Sequence, residues 1–341
     1  MTATSTVSRV LLTGGTGFIG KHTARALVDA GYKVRALCRS QAPDLEAEGV
    51  EVVKGDVLDV PSIESALDGV DYVVHAAGAV SRDKDDNSVL MKVHVTGTRH
   101  VVGAACRAGV KRVVNVSTSG TVAVGNDPEM VFHEDDDVPL GLIHRWPYYL
   151  SKFLGERAAY DEIRLADTHD DGAKTELITL NPTLALGPGD DRASSTTDVR
   201  RFLDRQMPVV PSGGLSFVDA RDVADAVVLA LTKGRPNERY LLSALNLTFA
   251  DFFDRLEEVS GVKGPALPVK VPKKLATFGI GLLEKVASTV GVELAVSQTE
   301  AEMASHFWYV DGRKAEEELG FQPREPMQTL LDTVRDLQGQ A

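Results

Sequence analysis

The segment Val10-Leu11-Leu12-Thr13-Gly14-Gly15-Thr16-Gly17-Phe18-Ile19-Gly20 constrains this chain more than any other. An apolar run of strand length enters a turn with four glycines in seven residues and leaves as a helix. Gly14 permits the tight turn, Gly17 lets backbone approach a pyrophosphate, and Gly20 lets the helix pack closely on the strand. The helix start then presents free amides to an anion. A βα turn that merely favours glycine would not need so many.

The rest of the first half continues the alternation. Arg9 to Thr13, Lys33 to Arg39, Val50 to Lys54, Asp71 to His75, Arg112 to Ser117 and Glu176 to Leu180 are expected strands. Helices are expected over Gly20 to Ala30, Pro61 to Asp68 and roughly Asn87 to Ala108, with Pro61 in a first turn. Continuous apolar strands separated by helices imply a doubly wound parallel sheet covered on both faces, the Rossmann-type α/β class. Ligands in such a sheet bind outside the carboxyl ends of the strands. Small and polar residues gather there: Gly14, Arg39, Asp56, Ala76 and Ser117 to Ser119. Asp167 to Thr175 is expected to be a surface loop. After Gly187-Pro188-Gly189 the alternation breaks down, and helices are expected over Val218 to Leu231, Asn246 to Gly261 and Pro272 to Val290. In the last, Leu275, Phe278, Leu282 and Val286 form one apolar stripe, suited to packing over the substrate pocket or on the core, or to docking. The expected organisation is a dinucleotide-binding domain over 1–186, rejoined by 214–243, and a substrate-binding region from 187–213 and 244–341.

Composition narrows the function classes. A net charge of −12 argues against nucleic acid, which needs a basic surface. The acidic runs Asp83 to Asp86, His133 to Asp137 and Glu316 to Glu318 are expected to be solvated. No apolar stretch reaches the roughly 18 residues of a membrane span, and the start lacks signal-peptide character. Two cysteines, Cys38 and Cys106, make neither a disulfide framework nor a metal site. Cys38 is expected in the core, and the histidines show no metal spacing. A cytoplasmic protein is the expectation.

The second informative motif is Tyr148-Tyr149-Leu150-Ser151-Lys152, which puts a phenol and an ammonium on one helical face. A dinucleotide cradle followed by a Tyr/Lys proton-transfer pair is the equipment of a nicotinamide-dependent oxidoreductase. The end of the second strand bears on the cofactor. A site for NAD usually places a carboxylate there; this chain has Leu37-Cys38-Arg39-Ser40. Arg39 can pair with a 2′-phosphate through its planar fork, which favours NADP(H), with NAD(H) as the alternative. A solvent-facing arginine at a strand end is the bland reading.

Taken together, these stretches resemble the extended short-chain dehydrogenase/reductases, part of the NAD-dependent epimerase/dehydratase superfamily. The similarity is greatest to dihydroflavonol-reductase-like and 3β-hydroxysteroid-dehydrogenase-like reductases. It spans the chain: Thr13 to Gly20, Val34 to Arg39, Gly55-Asp56-Val57, His75-Ala76-Ala77-Gly78, Thr96-Gly97-Thr98, Tyr148 to Lys152, Asn181-Pro182-Thr183, Phe217 to Val223, Lys314-Ala315 and Leu319-Gly320-Phe321. The resemblance implies that Tyr148 is the general acid and that Lys152 favours its phenolate while holding the nicotinamide ribose. A phenol starts near pKa ~10 and needs such help. It implies a hydroxyl for the substrate oxygen, Ser119 by the epimerase pattern and Thr118 by the reductase pattern; Ser119 is preferred. Tyr149 is out of register with the motif and is expected to be packing or pocket wall. Cofactor contacts are implied for Thr13, Gly14, Gly17, Phe18, Ile19, Gly20, Arg39, Ser117, Tyr148 and Lys152. Asp56 and Val57 would contact adenine, small Ala76, Ala77 and Gly78 would let backbone approach the cofactor, and Asn181, Pro182 and Thr183 would lie beside the nicotinamide.

One position departs from the family. Asparagine usually precedes Val-x-Gly-Thr, and here His94 does. An imidazole replaces some hydrogen bonds of an amide but differs in size and titration. The change bears on local helix packing or on a proton relay behind Lys152, or is simply tolerated.

The function expected from the sequence is NADPH-dependent reduction of a ketone or aldehyde on a small hydrophobic substrate, with no metal. The alternatives are a nucleotide-sugar epimerase or dehydratase with tightly held NAD, and a non-catalytic dinucleotide-sensing regulator. The resemblance also implies a homodimer through the helices at about 87–108 and 148–165, a monomer being the alternative.

Overall fold

The structure is a computed structural model and describes residues 7–80, 87–169, 174–207, 209–264 and 298–340. Its centre is a seven-stranded parallel sheet of β1 (Arg9–Thr13), β2 (Lys33–Cys38), β3 (Glu51–Lys54), β4 (Tyr72–His75), β5 (Arg112–Val116), β6 (Glu176–Pro182) and β9 (Glu238–Leu242), in the order β3-β2-β1-β4-β5-β6-β9. Successive side chains of a strand face opposite ways. Val10 and Leu12 therefore enter one apolar cluster and Leu11 the other; Val74 and Val73, and Val114 and Val113, divide the same way. The first cluster is closed by α1 (Phe18–Asp29) and α9 (Ala220–Ala230), which pack on each other. The second is closed by α3 (Val60–Ala66), α5 (Thr98–Arg107) and α7 (Pro147–His169). Strand order reverses between β1 and β4, so a crevice opens at the carboxyl ends there.

A second sheet of three strands, β10-β8-β7, joins β7 (Leu184–Leu186), β8 (Gly214–Asp219) and β10 (Leu245–Thr248). With α8 (Thr197–Leu203), α10 (Phe249–Ser260) and α13 (Pro326–Leu337) it encloses a core of Phe202, Phe217, Phe252, Phe253 and Leu330. The stretch 214–243 is shared: β8 pairs in the small sheet and β9 in the large one. The remaining helices are α2 (Pro43–Ala47), α4 (Asn87–Met91), α6 (Leu140–Ile143), α11 (Gln298–Met303) and α12 (Arg313–Leu319).

Several expectations need correction. Val218 and Asp219 end a strand rather than begin a helix, and Asn246 to Thr248 are strand before α10. Asp167 to His169 continue α7, so the expected loop starts later. The expected helix over Asn87 to Ala108 is interrupted by a π turn at Lys92–Gly97. Glu134 is not solvated: it is buried and accepts from the Leu241 amide at 2.9 Å. Asp83 to Asp86 and the stripe from Leu275 to Val286 lie outside the described residues. Cys38 is buried in the core as expected, and both cysteines are free. Among the described residues no helix is long and apolar enough to cross a membrane, and no cluster could hold a metal ion.

Candidate active site

A cleft of about 1130 Å³ runs over the crevice between the two sheets. Gly14, Gly17, Phe18, Ile19 and Gly20 line one end. Gly14 has φ +77°, and a Cβ there would stand 2.5 Å from the Ala76 carbonyl carbon. A Cβ on Gly20 would run into the Gly14 carbonyl. Both glycines thus bring the turn, α1 and the β4 end into backbone contact. No side chain caps α1, and its first turn carries no acid, so its leading amides are available to an anion. These residues fit a dinucleotide pyrophosphate.

Tyr148, Lys152, Ser117 and Ser119 lie on the wall of the same cleft, with Ala76, Gly78, Pro182 and Thr183. Tyr148 and Lys152 stand one turn apart on α7, which Pro147 opens. The Lys152 ammonium donates to the Val116 carbonyl at 3.1 Å. Burial pushes this amine down to about 8, against the opposing pull of Glu156. Burial, and then Tyr149, pushes the Tyr148 phenol above its ordinary value.

The hydroxyls after β5 divide by their partners. Ser117 donates to Glu156 at 2.5 Å, and the Thr118 oxygen accepts from the Gly120 amide at 3.4 Å. Thr121 lies within hydrogen-bond reach of both the Thr118 carbonyl and Glu156. Among the described residues, neither the Ser119 hydroxyl nor the Tyr148 phenol is held by a partner.

Five of the expected contact residues are not part of the cleft wall. Thr13, Asp56, Val57, Ala77 and Asn181 do not line the cleft. Thr13 is fully buried, with its hydroxyl 2.8 Å from His75 Nδ1. His75 Nε2 lies 3.0 Å from the Thr98 hydroxyl, which donates to the His94 carbonyl at 2.6 Å. Asn181 donates to Glu156 at 2.8 Å and to the Thr118 carbonyl at 3.0 Å. Glu156, 1% exposed, is the hub that sequence reasoning missed: it holds Ser117 and Asn181 and pairs with Arg239 at 3.1 Å. Its signal was its place one turn beyond Lys152 on the same helix face. His75 and His94 are buried, and burial followed by the Lys152 charge pushes them down to about 3 and about 2. Both stay neutral near pH 7.

At the opposite end the exposed Arg39 lines the cleft with Ser40, Gln41 and Leu45. No hydrogen bond or ion pair holds its guanidinium among the described residues. Asp44 of α2 stands on this wall too, an acid that the strand-end argument did not anticipate. Beyond Tyr148 the wall turns apolar. Trp146 and Trp308 are 5.4 Å apart at 36°, and Trp308 and Tyr149 are 4.9 Å apart at 33°. A Cβ on Gly120 would run into the Tyr149 ring, so Tyr149 braces the Ser119 turn as packing and pocket wall. Met207, Val210, Leu215, Phe249 and Phe253 continue this surface.

Residues 10–243 match the NAD dependent epimerase/dehydratase family. The chain belongs to this family. Its relatives include a Synechocystis sp. protein provisionally named dihydroflavonol 4-reductase, 30% identical over 95% of this chain and 92% of its own length. Cinnamoyl-CoA reductase 1 of Oryza sativa subsp. japonica is 32% identical over 73% of this chain and 75% of its own. The fold is shared with a dTDP-glucose 4,6-dehydratase of Streptomyces venezuelae solved with NAD, at TM-score 0.75, 22% identity and coverage of 97% of each chain. This family member is an NAD(P)-dependent oxidoreductase of the extended short-chain dehydrogenase/reductase type, with reductases among its relatives.

Proposed function

We propose that the protein is an NADPH-dependent reductase of a ketone or aldehyde on a small hydrophobic substrate. The carrying observation is the convergence of Ser119, Tyr148 and Lys152 on the wall of the cleft that the glycine turn opens. When bound, the nicotinamide supplies the hydride. Ser119, whose hydroxyl has no protein partner among the described residues, holds the carbonyl oxygen. Tyr148 donates the proton to the nascent alkoxide. The Lys152 ammonium favours the phenolate that results and holds the nicotinamide ribose. Arg39 pairs with the 2′-phosphate, and Gly14, Gly17 and Gly20 cradle the pyrophosphate. The apolar wall from Trp308 to Phe253 supports a hydrophobic substrate.

One observation favours reduction over dehydration, which needs a further acid–base pair at the substrate. Of the carboxylates on the described wall, Asp190 accepts from Ser194, Ser195 and Thr196. Asp191 pairs with Lys21, and Asp198 and Glu300 both pair with Arg201. Asp44 stands at the Arg39 end. Apart from Asp44, each of these carboxylates is already engaged by the protein.

The test is to denature the purified protein, identify any released dinucleotide, and titrate the native protein with NADPH and NADH before a carbonyl panel. Exchangeable binding that favours NADPH, with turnover on the panel, is expected. Tightly held NAD would overturn the reading in favour of a nucleotide-sugar epimerase. Binding without turnover on any carbonyl would favour a sensor.

A further inference from the structure

His94 sits in the π turn between α4 and α5, which packs against α7. Gly155 of α7 lets it approach: a Cβ there would run into the His94 carbonyl. The imidazole is 2% exposed and meets two different parts of the site. Its Nε2 accepts from the Ala79 amide at 3.0 Å. Its Nδ1 lies 2.8 Å from the Ser151 hydroxyl, which itself donates to the Tyr148 carbonyl at 2.8 Å.

These contacts fix the tautomer. A serine hydroxyl has one proton, and Ser151 directs it to Tyr148, so Nδ1–H must donate to Ser151. The Ala79 amide is a donor, so Nε2 must be bare. Both ends demand the same neutral ring. The ring also stands edge-on to the Tyr148 phenol, 5.7 Å between centroids. Ala79 and Gly78 line the cleft, and a Cβ on Gly78 would stand 3.2 Å from His94 Nε2 and 3.5 Å from the Lys152 nitrogen.

We propose that His94 is a positioning residue that ties the Gly78–Ala79 wall to the Tyr148 end of α7, one ring nitrogen serving each. The inference rests on the reading above, in which that wall receives the dinucleotide and Tyr148 acts on the substrate. The Ala79 contact then governs dinucleotide affinity, and the Ser151 contact governs turnover.

Two substitutions each keep half of the ring. In His94→Asn the amide nitrogen can take the Nδ1 place and donate to Ser151, while nothing reaches Ala79. In His94→Gln the amide oxygen can take the Nε2 place and accept from Ala79, while the Ser151 bond is lost. The experiment measures the NADPH dissociation constant by fluorescence titration, kcat and KM on a reduced carbonyl, and the melting temperature. The loss of one buried hydrogen bond corresponds to roughly a tenfold change. His94→Asn is expected to weaken NADPH about tenfold with kcat within about twofold. His94→Gln is expected to keep the dissociation constant and lose about tenfold in kcat. Ser151→Ala leaves the ring in place and should behave as His94→Gln, which keeps the proposal testable if a ring variant fails to fold. Parallel loss of affinity and kcat in both ring variants, or a Ser151→Ala enzyme of normal kcat, would overturn the tie. If the wild-type protein binds NADPH but reduces no carbonyl, the reductase reading fails separately. The tie is then judged on affinity alone, and a His94→Asn protein of normal affinity rejects it.

Discussion

Tyr148 and Lys152 make opposite demands on one apolar corner. Burial raises the phenol and lowers the ammonium, so each is held toward its neutral form until a neighbour intervenes. Lys152 is charged below about 8, and the role proposed for it needs that charge. The second-order rate constant kcat/KM at saturating NADPH should therefore fall about tenfold per unit as pH rises beyond about 8. Lys152→Arg keeps a charge at every accessible pH; the alkaline limb should vanish even if the maximal rate drops. Tyr148→Phe removes the donated proton alone. It should cost about 10²–10⁴-fold in kcat while leaving the NADPH dissociation constant within about twofold. Equal losses in both would mean that the phenol serves binding rather than proton transfer.

At the scale of the elements, α9 starts on a side chain that serves several partners at once. Asp219 is fully buried and caps α9 by accepting from the Arg221 amide at 2.8 Å. It also pairs with the Arg221 side chain at 2.7 Å and with Arg324 at 3.2 Å. Burial works to raise its carboxyl, but those hydrogen bonds and charges outweigh it and hold it below the usual carboxylate range. Its contribution to stability is thus present above the unfolded value near ~3.9 and is lost as pH falls through the lower folded value. Asp219→Ala removes the cap and one partner from each arginine, leaving Asp332 for Arg221 and Asp222 for Arg324. A loss of about 3 kcal/mol at pH 7 is expected, read from the urea midpoint at unchanged m. Asp219→Asn keeps a capping oxygen and should cost less. Six strands of the large sheet were legible because each is a mostly apolar run bounded by turns, and the first four alternate with helices; β9 was not anticipated. The small sheet was not: its pairing joins residues as distant as Leu184, Phe217 and Leu245. The π turn was equally hidden, since one extra residue per turn leaves the apolar spacing of the helix nearly intact. Tyr148, Lys152 and the glycine turn stand out as motifs, and Glu156 follows Lys152 on the same helix face, whereas Trp308 reaches the site only through the tertiary fold.

For the whole molecule, the cleft is where the two sheets depend on each other. The segment after β7 crosses between them: Gly187 and Gly189 donate to Thr333 and Asp336 of α13, while Pro188 accepts from His22 and Asp191 pairs with Lys21, both on α1. A dinucleotide seated on the α1 turn binds only the assembled arrangement, so it must stabilise the fold by mass action. At 100 times its dissociation constant the gain is about 2.7 kcal/mol, a rise of several degrees in melting temperature. The end of the cleft at Arg39 makes the rise diagnostic. Its guanidinium has no protein partner among the described residues, and Asp44 shares its wall. NADPH should therefore raise the melting temperature more than NADH at equal concentration. Arg39→Ala should erase most of that difference by weakening NADPH about tenfold or more, the measure of a charge-assisted fork lost from a phosphate. NADH should be affected little, because it offers Arg39 no 2′-phosphate. A larger shift with NADH in the wild-type protein would place Asp44 rather than Arg39 in charge of the ribose, and the Arg39→Ala variant would then be silent with both dinucleotides.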